Sequence, residues 1–155
     1  MHPMPLVLSP GPGSLTCMIG FKPAWRGVPL AAVPALQVAA QAAQIAIQTA
    51  VSATAAAAGP AMPAAYAAQQ TVETSMAASV GALINGAAAA SGADKHLCMT
   101  PSTPAVPDGP GVVIDGSATV MIDFLPACRQ GDTVLEAIGP ANKIAMGCPT
   151  VIIGG

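Results

Sequence analysis

The chain has 155 residues, of which 8% are charged, 3% aromatic and 53% hydrophobic, and its net charge is −2. Ordinary soluble domains are roughly one-quarter charged, so this composition excludes a basic nucleic-acid footprint and leaves a core built from Ala, Val, Ile and Met. The length fits one domain with room for a single excursion, and sixteen Gly with sixteen Pro call for many tight turns.

The N-terminus, Met1-His-Pro-Met-Pro-Leu-Val-Leu8, has no charged leading region and too short an apolar run for a secretory signal peptide. Cys17, Cys98, Cys128 and Cys148 lack the dense spacing of a disulfide scaffold. A reducing cytoplasm is the expected compartment, with thiols free or metal-bound.

A phrase recurs along the chain. Gly13-Ser-Leu-Thr-Cys-Met-Ile-Gly-Phe-Lys-Pro-Ala-Trp-Arg26 and Gly116-Ser-Ala-Thr-Val-Met-Ile-Asp-Phe-Leu-Pro-Ala-Cys-Arg129 are identical at nine of fourteen positions. A third copy, Gly147-Cys-Pro-Thr-Val-Ile-Ile-Gly154, stops before its own Pro-Ala-x-Arg. Repeats of this kind imply repeated architecture. They divide the chain into repeat one (about 6–29), an Ala-rich segment (about 30–92), repeat two (about 94–131) and repeat three (about 132–155).

Strands are expected in the repeats, where β-branched residues cluster between glycines. Val112–Asp115 leading through Gly116-Ser117 into Thr119–Ile122 reads as a hairpin, and Lys143–Gly147 leading into Thr150–Ile153 as its copy. Such short strands must stack on one another to bury a core.

The middle segment has a helical period. Gln37, Gln41, Gln44 and Gln48 fall on one helix face, with Leu36, Ile45, Ile47 and Val51 around the rest. Gly59-Pro60 and Pro63 break the pattern, and a second run through Val72, Met76, Val80, Leu83 and Ala87 fades at Gly86 and Gly92. The expectation is a helical hairpin over 30–93. No charge lies between Arg26 and Glu73, which favours a membrane span. The Gln stripe and the weak hydrophobicity of Ala favour a hairpin packed on something apolar.

Pro23-Ala-Trp-Arg26 and Pro126-Ala-Cys-Arg129, each after a Gly-Ser-x-Thr-x-x-Ile strand, resemble the proline-alanine-alanine-arginine (PAAR) repeat family. Gly131-Asp132 is similar to the Gly-Asp that follows that motif, and the likeness runs through Asp94–Cys98, Gly109–Ile114 and Gly147–Gly155. The resemblance implies a mainly β fold: a small conical, pseudo-threefold tip of residues 1–29 and 94–155, with the Ala-rich α-helical hairpin 30–93 inserted.

It further implies a non-enzymatic tip that caps and sharpens the trimeric spike of a type VI secretion or related contractile injection machine, one chain per trimer. Such a tip touches the target membrane transiently and carries or recruits effectors, with the hairpin free to bind an effector or chaperone. The alternatives are a membrane-active module whose uncharged hairpin enters the bilayer, and a small zinc module unrelated to injection machines.

Relatives are similar in holding one zinc through His and Cys. The candidates here are His96 and Cys98, spaced His-x-Cys, with His2 or another cysteine. Where relatives carry a further His and Cys, this chain has Asp108, and Glu136 and Gly139, so motif positions alone do not assemble a four-ligand site. The alternative for His96 is a solvent-facing loop residue, and for Cys98 a small buried hydrophobe.

Arg26 and Arg129 read as structural, satisfying turn carbonyls or pairing with an acid such as Asp132. Cys17 takes the strand slot of Val120 and Val151, Cys148 a turn slot and Cys128 that of Trp25, which either anchors an interface or covers its repeat. No Gly-x-Ser-x-Gly or His-Glu-x-x-His occurs, and no enzyme is expected.

Overall fold

The computed structural model describes residues 13–101 and 106–154; the start of repeat one, with His2, lies outside them. The middle segment forms two helices, α1 (Val33–Ala56) and α2 (Met62–Ser91). Both carry a proline in the first turn, where its missing N–H has no helical partner to lose. Pro63, read as a breaker, therefore starts α2. The helix ends at Gly92, whose N–H donates to Ala88 O at 2.8 Å.

α1 buries Leu36, Ala40, Ala43 and Ile47, a four-three-four spacing that makes one stripe. The four glutamines face outward as read, and Gln44 Nε2 donates to Gly139 O at 2.7 Å. On α2 the buried positions are Gln69, Glu73, Val80, Gly81, Ile84 and Ala88. Leu83, a member of the apolar run in the sequence, is about half exposed. The stripe is turned because Gly81 meets the sheet: a β-carbon there would sit 3.3 Å from Pro110 Cγ, which brings Ile84 rather than Leu83 inward.

The remaining chain forms short strands. β1 (Met18–Ile19) pairs with β2 (Lys22–Pro23), and β5 (Met121–Ile122) pairs with β6 (Leu125–Pro126). Between these hairpins in sequence lie β3 (Lys95–Cys98) and β4 (Gly109–Val113), and after them β7 (Thr133–Glu136) and β8 (Asn142–Lys143). These four make an antiparallel sheet in the order β3-β4-β7-β8.

The fold is therefore not mainly β. Helices of 24 and 30 residues outweigh strands of two to five, because the Ala-rich insertion is helical throughout while much of the repeat is turn. The expected pairing of 112–115 with 119–122 is also corrected: β4 pairs with β3 and β7, and Gly116-Ser117 opens the β5–β6 hairpin instead. The third expected hairpin is absent among the described residues. β8 pairs with β7, and 148–153 forms no strand.

Hairpin and sheet share a core. Leu36, Ala40, Ala43, Val80, Ile84 and Ala88 from the helices pack with Val28, Val112, Ile114, Leu135 and Ala137. Burial of a side chain such as Ile84 contributes about 1.5–3 kcal/mol.

The two full phrases fold alike. Gly20 and Phe21 have φ of 58° and 62°, and Asp123 and Phe124 of 49° and 65°, the left-handed pair that a two-residue hairpin turn needs. Ser14 Oγ accepts from the N–H groups of Thr16 and Cys17 at 3.1 and 2.9 Å; Ser117 Oγ does the same for Thr119 and Val120 at 3.3 and 3.0 Å. A β-carbon on Gly116 would approach Pro126 Cβ to 2.9 Å, and one on Gly13 would clash with Pro23 likewise, so the opening glycine is sterically required.

The three phrases also touch in a ring. Ser14 Oγ donates to Asp123 Oδ2 at 2.6 Å, Ser117 Oγ donates to Gly154 O, and Cys148 lies against Gly20. Each contact joins the second residue of one phrase to the eighth of another. Ile19, Ile122 and Ile153, equivalent in the three copies, gather in one cluster with Ala24 and Ala127.

Candidate metal centre and docking face

β3 alternates outward and inward, so His96 and Cys98 share its buried side. β4 lies opposite, and a β-carbon on its Gly111 would come 2.5 Å from His96 Nε2; glycine there makes room for the imidazole. Asp108, just before β4, and Glu136, at the end of β7, are both buried. Donor atoms of Cys98, Asp108 and Glu136 all lie within 4.8 Å of one another.

His96 Nε2 stands 3.4 Å from Glu136 Oε1, yet both are buried atoms without a hydrogen-bond partner among the described residues. The other Glu136 oxygen accepts from Asn142 Nδ2 at 2.8 Å. Burial works to raise the Glu136 carboxyl, but His96 and the Asn142 amide outweigh it and hold it below its usual range. Burial pushes the Cys98 thiol up, and the neighbouring Glu136 and Asp108 add to that.

His96 Nε2 and Glu136 Oε1, buried beside a thiol and a second carboxylate, make an arrangement whose desolvation is costly unless the groups are fully paired. A cation among them would remove the cost. Nitrogen, sulfur and oxygen donors in one buried cluster fit zinc.

The structure brings His96 and Cys98 together; His2 is outside the described residues. Asp108 and Glu136 were legible only as places where an expected His and Cys are missing. The strand register returns them to the same cluster as Cys98.

Elsewhere the phrases present apolar groups to solvent. Phe21, Phe124 and Ile152 are 99%, 96% and 95% exposed, and Leu15, Met18, Met121 and Met146 are largely exposed. A groove of about 680 Å³ lies between the third phrase and repeat one, lined by Ile19, Trp25, Cys128, Arg129, Cys148 and Ile153 among others. Trp25 thus lines a groove rather than standing free.

The family model of the PAAR motif matches residues 67–135 and 105–155, more than half of the chain. The chain belongs to the PAAR motif family. PAAR proteins are structural components associated with the trimeric spike of type VI secretion systems, not enzymes, and the motif is known for metal binding; the Cys98–Asp108–Glu136 cluster is a possible site of that kind. The matched span starts within α2, so the first phrase of this PAAR protein, Gly13–Arg26, lies outside it. No curated protein and no solved structure matches the chain.

Proposed function

We propose that this chain seats on the end of a trimeric spike, one copy per trimer, and presents the leading point of a contractile injection machine. The observation that carries the reading is the ring of three phrases, in which equivalent isoleucines meet inside while Met18, Met121 and Ile152 face out. One chain with three like units can meet a threefold axis, which a single unit could not do as a monomer. Exposed apolar side chains around that point supply a dehydrating contact of the kind that forms an interface centre.

His96, Cys98, Asp108 and Glu136, with His2 as a further donor, hold one zinc that ties β3, β4 and β7 together. A small fold with few aromatics gains stability from such a tie. The chain acts from the cytoplasm while the machine is assembled and leaves on the ejected spike, and the exposed faces of α1 and α2 engage effector or chaperone. Mixing purified chain with spike trimer tests the docking. Co-migration at micromolar concentration supports it, and the double variant Phe21→Asp, Phe124→Asp should abolish co-migration while keeping the fold.

A second reading is favoured by one observation: Leu30–Ala56 is long and apolar enough to cross a membrane, and 22% of its most apolar window is buried. In that reading the hairpin leaves the sheet and enters the target bilayer. Flotation of the full chain with liposomes tests it, and absence of lipid association removes it.

A further inference from the structure

Residues 22–26 and 125–129 are return arms: each leaves its phrase through the left-handed turn and lies back along it. Ser14 N–H donates to Ala24 O at 2.8 Å, and Ala24 N–H to Cys17 O at 2.9 Å. In the second copy Ser117 N–H donates to Ala127 O at 2.8 Å, and Ala127 N–H to Val120 O at 3.0 Å. The arms also pair with each other. Arg26 and Ala127 form a β-bridge, Gly27 N–H donates to Pro126 O at 2.8 Å, and Cys128 N–H donates to Trp25 O at 3.0 Å.

The ring contacts between phrases run in one direction: two onto one, three onto two, one onto three. The same rotation applied to the arms locates a third. It lies along the third phrase, between arm two and arm one. Its partners there are Cys148 N–H and Val151 O on the phrase, Cys128 O and Gln130 N–H on arm two, and Trp25 N–H on arm one. None of these five groups has a backbone partner among the described residues. All five residues line the groove of about 680 Å³. The groove is the seat of a third arm.

The two filled seats show what such a seat accepts. Ala24 and Ala127 are 3% and 0% exposed, so the residue after the proline must be small. A β-carbon on Gly13 or Gly116 would clash with the proline of its arm, whereas one on Gly147 would meet Gln130 Cβ at 3.5 Å, an ordinary contact. Arg26 Nη1 binds Asp123 Oδ2 at 3.1 Å, and Arg129 Nη1 binds Gly154 O at 3.4 Å, each at the eighth position of the next phrase. For a third arm that position is Gly20, which lines the groove. The residue between alanine and arginine is free to vary, being Trp25 in one arm and Cys128 in the other.

We propose that the groove binds an extended segment of a second polypeptide reading Pro-Ala-x-Arg, which completes the ring as its third arm. Arms one and two are held in their own seats, so neither is available to fill it. The occupant continues on both sides a ladder that the chain already forms. Main-chain hydrogen bonds of this kind supply affinity, and the pockets for alternate side chains supply specificity. The site depends neither on the zinc nor on docking to the spike.

The probe is the end-blocked peptide Leu-Pro-Ala-Ala-Arg-Gln, titrated into the full chain up to millimolar concentration. Trp25 is the single tryptophan and lines the groove, so its emission reports occupancy. A saturable change is expected, at least tenfold weaker for Leu-Pro-Ala-Ala-Ala-Gln and for Leu-Pro-Leu-Ala-Arg-Gln. In the saturated complex the amides of Trp25, Gln130 and Cys148 should exchange with solvent at least tenfold more slowly. Gly147→Ala should weaken the peptide at least tenfold, by meeting its proline, without moving the thermal midpoint of the free chain. No saturation, equal affinity for the three peptides, or protection confined to other amides overturns the proposal. So does a chain that dimerises and stays dimeric under excess peptide, since the groove then belongs to a second copy.

Discussion

Arg26 grips Asp94 across 68 residues of sequence with the contacts that Arg129 makes to Asp132 only three residues away. In both, the backbone N–H and Nε of the arginine point at the carboxylate, and the acid's N–H returns to the arginine carbonyl, at 3.0 and 3.2 Å. The helical hairpin is thus inserted within a turn whose ends still meet as though nothing separated them. That is how α1 and α2 are added without dismantling the repeat.

Arg26→Ala should therefore be among the most destabilising single changes in the chain. Asp94 is almost fully buried, and removing one partner of a buried pair costs about 3–5 kcal/mol. Urea unfolding checks this, with Arg26→Lys recovering only part of the loss because a point charge cannot fork onto both oxygens. A loss no larger than that of an exposed surface pair would contradict the role.

Asp123 joins two phrases through Ser14, Thr16 and Arg26. The hydroxyls of Ser14 and Thr16, then Arg26, hold its carboxyl below the ordinary 3.8. A depressed folded value means the contribution is complete above 3.8 and is lost as pH falls through the lower folded value. Asp123→Asn should remove that segment of the acid unfolding curve and leave the curve's shape above pH 5 unchanged, as read by circular dichroism.

Cysteine reactivity should follow environment. Thr150's hydroxyl and nearby backbone groups lower the Cys148 thiol, whereas burial drives that of Cys128 far up. Thiolate is the reacting species, so alkylation at pH 8 followed by mass spectrometry should label Cys148 well before Cys128. Equal rates would contradict the groove geometry.

Elemental analysis of the purified chain should find one zinc, lost in Cys98→Ala and reduced in Glu136→Gln. Chelation should lower the thermal midpoint by about 2–4 °C for each kcal/mol of lost stability. A metal-free chain that melts unchanged in the presence of chelator and of added zinc would remove the site.

Much of this was readable from residue spacing, and the misses have physical causes. The Gln37–Gln48 stripe fixed the outer face of α1 because helical period is a strong local signal over many turns. The choice between Leu83 and Ile84 depended on where Gly81 meets Pro110, a tertiary fact. Strand pairing failed where strands are two residues long: Val112–Asp115 and Thr119–Ile122 look like hairpin arms, but β4 is claimed by partners distant in sequence. His96 and Cys98 were singled out by the family resemblance, as a His-x-Cys pair. Asp108 and Glu136 needed the register of three strands before they became neighbours.

Sedimentation of the chain with its spike trimer at micromolar concentration tests the central claim most directly. The account predicts a single species containing one chain and three spike subunits. Three chains per trimer, or separate sedimentation of the two components, would contradict it.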